Sequence, residues 1–137
     1  MGKLKLILRS YGLKSNKGEA APGFRSIPVA DLYLDCRGVV EKGVPGGTGS
    51  SPVFQEGVEA GSPTTITSFH RIIEDSMKTI VTRRNDRKDP YEDPYVIIFL
   101  CAHGIHRSVA SKHLLARRLK AAGYDVRWRE SKLPPQI

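Results

Sequence analysis

A single α/β domain, with a mixed but mostly parallel sheet of four to five strands flanked by helices, is the fold class that this chain predicts, and three observations carry the prediction. Strand-like and helix-like stretches alternate along the 137 residues, the order from which helix-covered sheets are built. One stretch, Tyr95 to Leu100, is continuously apolar and short, the pattern of a strand buried on both faces. It leads through a tight loop into a helix-like stretch and a last strand-like one, a unit expected to form a right-handed parallel crossover. A chain of this length supports one substantial core rather than two, so residues 1–137 are read as one domain.

The elements follow in order. From Lys3 to Arg9, Leu4, Leu6 and Leu8 alternate with Lys3, Lys5, Ile7 and Arg9, which describes a half-buried strand. Ser10 to Ile27 carries Gly12, Gly18, Pro22 and Gly23 among polar residues and reads as a long loop. Ala30 to Arg37 reads as a second strand ending in Asp35 and Arg37, and Gly43 to Ser51 as a glycine-rich turn region. After Pro63, the residues Ile66, Phe69, Ile73, Met77 and Ile80 recur at helical spacing, with Ile72 and Val81 broadening the stripe, so this helix is core rather than a cofactor site. Arg83 to Pro94 reads as a solvated linker. A second helix is expected from about Arg107 to Ala122, stopped by Gly123 at a left-handed cap. Tyr124 to Arg129 completes the set as a strand, with Arg127 and Arg129 on one face and Trp128 on the other.

Hydrophobic residues at 39% and charged residues at 26% exclude wholesale disorder. The net charge of +8 favours an anionic partner. That charge is unevenly placed: Arg107, Lys112, Arg117, Arg118, Lys120, Arg127, Arg129 and Lys132 face only Asp125 and Glu130 beyond Cys101. This basic last third is the expected place for RNA or another polyanion, whose binding would weaken as salt rises. Two cysteines make no disulfide framework, and no run is long and apolar enough to be a signal peptide or a membrane span, so a cytoplasmic protein is expected.

The most informative stretch is Cys101-Ala-His-Gly-Ile-His-Arg-Ser108. A strand, a tight loop and a helix in that order make an anion cradle, because the first-turn amides have no intrahelical acceptor and the helix dipole is positive at that end. Gly104 permits close backbone approach, Arg107 supplies a planar fork suited to phosphate, and Ser108 offers a hydroxyl. His103 and His106 are candidate donors to the same anion, with Ile105 between the glycine and His106. As metal ligands the two histidines lack third and fourth partners, since His70 and His113 sit on helices elsewhere; neither a metal nor a cofactor is expected. Ligands of parallel sheets bind beyond the carboxyl ends of the strands. Asp35, Arg37 and the Cys101 loop all leave strands at that end and are expected to share one pocket. Thr48-Gly49 is a candidate second phosphate-approaching turn.

Cys101 admits two readings, as a small wall of the pocket or as a nucleophile. A thiol at a helix N-terminus beside Arg107 and His106 can have its pKa lowered from ~8.5 into a range of ~3.5–7.5. A cysteine-dependent phosphatase would then use Cys101 as nucleophile, Arg107 as clamp and Asp35 as general acid. Cys-x5-Arg-Ser resembles the phosphate loop of protein tyrosine phosphatases, although Leu100 stands where those enzymes usually have His. A strand ending Asp-Cys-Arg before a cysteine loop is similar to rhodanese-like domains.

Several pieces in one order resemble the C-terminal domain of the RNase adapter protein RapZ family over nearly the whole chain. They are Ser10-Tyr11-Gly12-Leu13-Lys14 after the first strand, the Pro28 to Arg37 stretch with its Ala30-Asp31 lead and Asp35-x-Arg37 end, Thr48-Gly49, and the Cys101 to Val109 loop. The resemblance implies an α/β domain that binds a phosphorylated amino sugar and a small regulatory RNA and assembles into oligomers. Residue by residue, it implies ligand contacts at Asp35, Arg37, Thr48, Gly49, Cys101, Gly104, His106, Arg107 and Ser108. In that family the domain follows a nucleotide-binding domain. This chain has no Walker-type Gly-x-x-x-x-Gly-Lys-[Ser/Thr], so a separate nucleotide-binding protein would supply that function.

Overall fold

The computed structural model describes residues 5–12, 29–42, 49–84, 94–101 and 107–128. Four strands, β1 (Lys5–Gly12), β2 (Leu32–Asp35), β3 (Tyr95–Cys101) and β4 (Asp125–Trp128), form one sheet in the order β2-β3-β1-β4. Every pairing in it is parallel, so the expected mixed sheet is an all-parallel one among the described residues. Three helices accompany it: α1 (Pro52–Gly61), α2 (Pro63–Arg84) and α3 (Arg107–Ala121).

β3 is the apolar run, and it lies between β2 and β1 with Tyr95, Ile97, Ile98 and Phe99 fully buried. Paired positions of parallel strands point to the same face. The register joins Leu6 to Tyr95, Leu8 to Ile97, Ser10 to Phe99 and Leu34 to Phe99, so Leu6, Leu8, Leu34, Tyr95, Ile97 and Phe99 share one face. All six belong to a core to which α1 gives Phe54 and Val58, α2 gives Ile66, Phe69, Ile73 and Met77, and α3 gives Leu114, Leu115 and Leu119. Each such side chain contributes about 1.5–3 kcal/mol when withdrawn from water. Ile72, expected to widen the α2 stripe, is 44% exposed. It follows Arg71 and precedes Ile73 on a helix, and a step of one residue turns it away from the buried line.

β1 runs three residues past the expected end at Arg9, because Ser10 continues the period-two burial of Leu6 and Leu8 and all of Ser10 to Gly12 pairs with β3. β4 pairs with β1 rather than with β3, so the connection from β3 through α3 passes over β1. Gly123 stops α3 with φ 97°, the left-handed conformation that its lack of a Cβ permits. At the other end of the sheet Asp31 leads into β2, where its N–H donates to the Val96 carbonyl (2.9 Å) and its carboxylate accepts the Val96 N–H (2.8 Å). α2 continues to Arg84, into the segment read as a linker; residues 85–93 lie outside the described set.

α1 is the element that sequence periodicity did not reveal. Pro52 sits in its first turn, where a missing N–H costs nothing, and Phe54 and Val58 form a buried pair at i, i+4. Its glycines let the chain after β2 lie directly against it. The Lys42 N–H donates to the Gly57 carbonyl (2.8 Å), and Ser62 Oγ accepts the Val40 N–H (2.7 Å) while donating to the Val40 carbonyl (2.9 Å). A Cβ at Gly61 would run into the Val40 carbonyl oxygen and the backbone of Glu41 and Lys42. Gly61→Ala should therefore cost about 1–3 kcal/mol in denaturant unfolding by overpacking. Ile72→Ala, on the exposed side of α2, should stay within about 0.5 kcal/mol of the parent.

Candidate functional site

The carboxyl ends of β2 and β3 meet the N-terminus of α3. β3 closes with Cys101 and α3 opens with Arg107 and Ser108. Cys101 Sγ donates to Ser108 Oγ at 3.0 Å, both residues buried, so the two ends of the motif are joined inside the fold. The β2 ladder continues one residue beyond the strand, the Cys36 N–H donating to the Leu100 carbonyl at 2.6 Å. This seats Asp35-Cys36-Arg37 alongside the motif. Arg107 then reaches across and donates from Nη1 to the Arg37 carbonyl at 2.9 Å. The two stretches singled out from the sequence therefore lie together at one end of the sheet.

Asp35 and Arg37 form a closed pair. The Arg37 guanidinium contacts both carboxylate oxygens through Nε (3.0 and 3.1 Å) and Nη2 (2.8 Å), and the Arg37 N–H donates to Oδ1 (3.0 Å). The hydrogen bonds from the Arg37 side chain and backbone hold the Asp35 carboxyl below its ordinary value. A carboxylate so held carries no proton at neutral pH, which removes the state that a general acid requires. Both partners are more than half exposed, so the pair adds little stability; it fixes the shape of the chain leaving β2.

Beneath this exposed layer lies a buried polar one. Cys36 is fully buried, its Sγ donates weakly to the Leu34 carbonyl (3.6 Å), and burial pushes its thiol up to about 12. Ser10 on β1 and Ser111 on α3 are fully buried; the Ser10 hydroxyl has no hydrogen bond among the described residues, and the Ser111 hydroxyl lies against the Cys36 thiol, whose charged form it favours. Sequence reasoning passed over both serines. Ser10 could have been found from its period-two spacing to Leu6 and Leu8, and Ser111 from its place three residues after Ser108 on the buried helix face.

Gly49 is buried, and its carbonyl accepts Gln55 Nε2 at 2.8 Å, so it serves here as an anchor for α1. Gln55 in turn accepts Arg117 Nη1 at 2.8 Å, a link between α1 and α3 that the sequence did not suggest. Thr48, His103, Gly104, Ile105 and His106 lie outside the described residues.

The basic last third is less of a continuous surface than its composition implies. Lys112 is wholly buried, and the reason is positional: it stands one turn from Ser108, on the face of α3 that meets the sheet. It is therefore not a surface contact for a polyanion. Arg118 is committed to Glu59 (3.0 Å) and Thr67 (3.2 Å). Arg117, Lys120 and Arg127 are exposed, Arg117 with one guanidinium nitrogen on Gln55 and Arg127 standing 3.7 Å from Asp125; Arg129 and Lys132 lie outside the described residues. Among the described residues no three His, Cys, Asp or Glu side chains gather as metal ligands, and no helix is long and apolar enough to cross a membrane.

The Asp35–Arg37 pair sets a pH dependence with a definite sign. A carboxyl whose folded pKa is depressed stabilises the fold above its unfolded value, and that contribution is lost as pH falls through the folded one. An NMR titration should give Asp35 a midpoint below its ordinary 3.8, and Arg37→Gln should return it upward. A scan against protein-family models finds no match for the chain, and a search of curated proteins finds none similar to it.

Proposed function

We propose that this chain is a binding protein for a phosphorylated small molecule, an amino-sugar phosphate or a nucleotide, held at the Cys101–Ser108 loop. The observation that carries this reading is the 2.9 Å bond from Arg107 to the Arg37 carbonyl. It spends one donor of the Arg107 fork to fix the guanidinium at the mouth of the strand ends. Among the described residues it is the one bond that guanidinium makes, so the rest of the fork is available to an anion. The first-turn amides of a helix have no intrahelical acceptor, so those of α3 are suited to donate to an anion at the same place. Ser108, bonded to Cys101, ties the start of the helix to the central strand, so the amides are held in position before a ligand arrives.

Binding is favoured over catalysis by two features. Cys101 is 5% exposed and its Sγ is bonded to Ser108 Oγ, which leaves no room for a phosphate ester to line up with the sulfur in the resting fold. Asp35, the acid that a phosphatase mechanism would need, is kept ionised by Arg37. The resemblance to the RapZ C-terminal domain agrees with a binding role and extends it to RNA, oligomers, a cytoplasmic setting and a separate nucleotide-binding partner. Of the basic residues expected to meet a polyanion, Arg117, Lys120 and Arg127 are exposed and are the ones to test for RNA contact.

Titration with a hexosamine phosphate and with inorganic phosphate tests the reading. Arg107→Ala should weaken binding by about 10- to 100-fold, the loss of a charge-assisted hydrogen-bonding group. Cys101→Ser should retain it, and neither protein should turn over an aryl phosphate. Affinity that ignores Arg107→Ala, or turnover that Cys101→Ser abolishes, overturns the proposal. For RNA, filter binding should weaken steeply as salt rises.

A further inference from the structure

Cys36, one residue past the end of β2, lies beside Cys101, the last residue of β3. The paired register of β2 and β3 ends at Asp35 opposite Leu100, and the Cys36 N–H continues it by bonding the Leu100 carbonyl at 2.6 Å. One step further along each chain sets Cys36 opposite Cys101, and the Cys101 sulfur is close enough to be felt by the Cys36 thiol. Leu34 and Phe99, two residues earlier on each strand, point into the core, so both thiols project to the same side; both residues belong to the buried core, and neither is in a disulfide. We infer that Cys36 and Cys101 form a reversible intrachain disulfide when the protein meets a peroxide, making the end of the sheet a site of oxidative modification.

The geometry is within reach of such a bond. Neighbouring strands lie about 4.8 Å apart, which falls inside the range of about 4.4–6.8 Å spanned by the Cα atoms of disulfides. The Cβ atoms must close to about 3.8 Å. β2 can supply that movement, because it is a four-residue strand at the edge of the sheet and the pair sits just beyond its last ladder residue. Brief opening of such an edge also admits a small oxidant to thiols that are nearly closed off in the resting fold.

The two sulfurs have different parts in the reaction. Cys101, the more exposed of the two at 5%, attacks the peroxide; its sulfur bonds one oxygen, the O–O bond breaks, and water leaves with the thiol proton. Cys36 then attacks the sulfur of the Cys101 sulfenic acid, the S–O bond breaks, and the departing hydroxide takes the Cys36 proton as a second water. Two thiols and one peroxide thus give one disulfide and two waters. Burial pushes the Cys36 thiol up to about 12, so Cys36 is not the sulfur that meets the peroxide first. The product takes Cys101 Sγ out of its bond to Ser108 and ties the chain carrying Arg37 to β3.

Intact mass after hydrogen peroxide treatment tests this without any ligand, so its failure is separate from that of the binding proposal. The folded protein should lose two hydrogen atoms, regain them with dithiothreitol, and yield one non-reduced peptide pair linking Cys36 to Cys101. Cys36→Ser should instead gain oxygen at Cys101. A folded parent that gains oxygen without losing two hydrogens, that crosslinks between copies, or that stays fully reduced while its unfolded form oxidises, overturns the inference.

Discussion

Parallel pairing of β2 with β3 is the constraint on which the site depends. β3 is fixed by burial on both sides, and β2 borrows that rigidity through its register, from Leu32 opposite Ile97 to Asp35 opposite Leu100. Because the ladder runs on to Cys36, the carbonyl of Arg37 is delivered within reach of the first residue of α3. A slip of one residue would turn Leu34 out of the core and Asp35 into it. The site therefore has the precision of the sheet although its charged groups stand at the surface.

The helical side of the site is held by a different means. α1 keeps the chain after β2 in place by backbone contact, through the close approach at Gly57 and Gly61 and the paired bonds between Ser62 and Val40. Gln55 then connects α1 to α3 through Arg117 and to Gly49. The charged layer of Asp35, Arg37 and Arg107 thus rests on a neutral framework of glycines, hydroxyls and one buried amide. Such groups can place charges without competing for an anion.

Much of this was legible in the amino-acid sequence, and for physical reasons. A continuously apolar run such as Tyr95 to Leu100 has few alternatives to a central strand, and Ile66, Phe69, Ile73 and Met77 have one face when wound as a helix. The meeting of Asp35-x-Arg37 with the Cys101 motif followed from both leaving strands at the carboxyl end. What escaped was short or dependent on tertiary context. α1 buries only Phe54, Gln55 and Val58, too few to make a period in ten residues, and its glycines read as loop signals until the strap against them is seen. Lys112 and Arg118 counted equally as surface charge in the sequence, because burial on a helix face depends on what packs there. Whether Asp35 pairs with Arg37 or faces a ligand depends on how the chain turns after β2, which the Asp-x-Arg spacing alone does not decide.

The proposed function rests on an anion held jointly by the Arg107 guanidinium and the first-turn amides of α3. A crystal structure from phosphate-soaked crystals tests it most directly. Phosphate is expected within hydrogen-bond distance of the Arg107 guanidinium and of first-turn amides of α3. Phosphate bound only elsewhere, with those amides met by the protein's own groups, would contradict it.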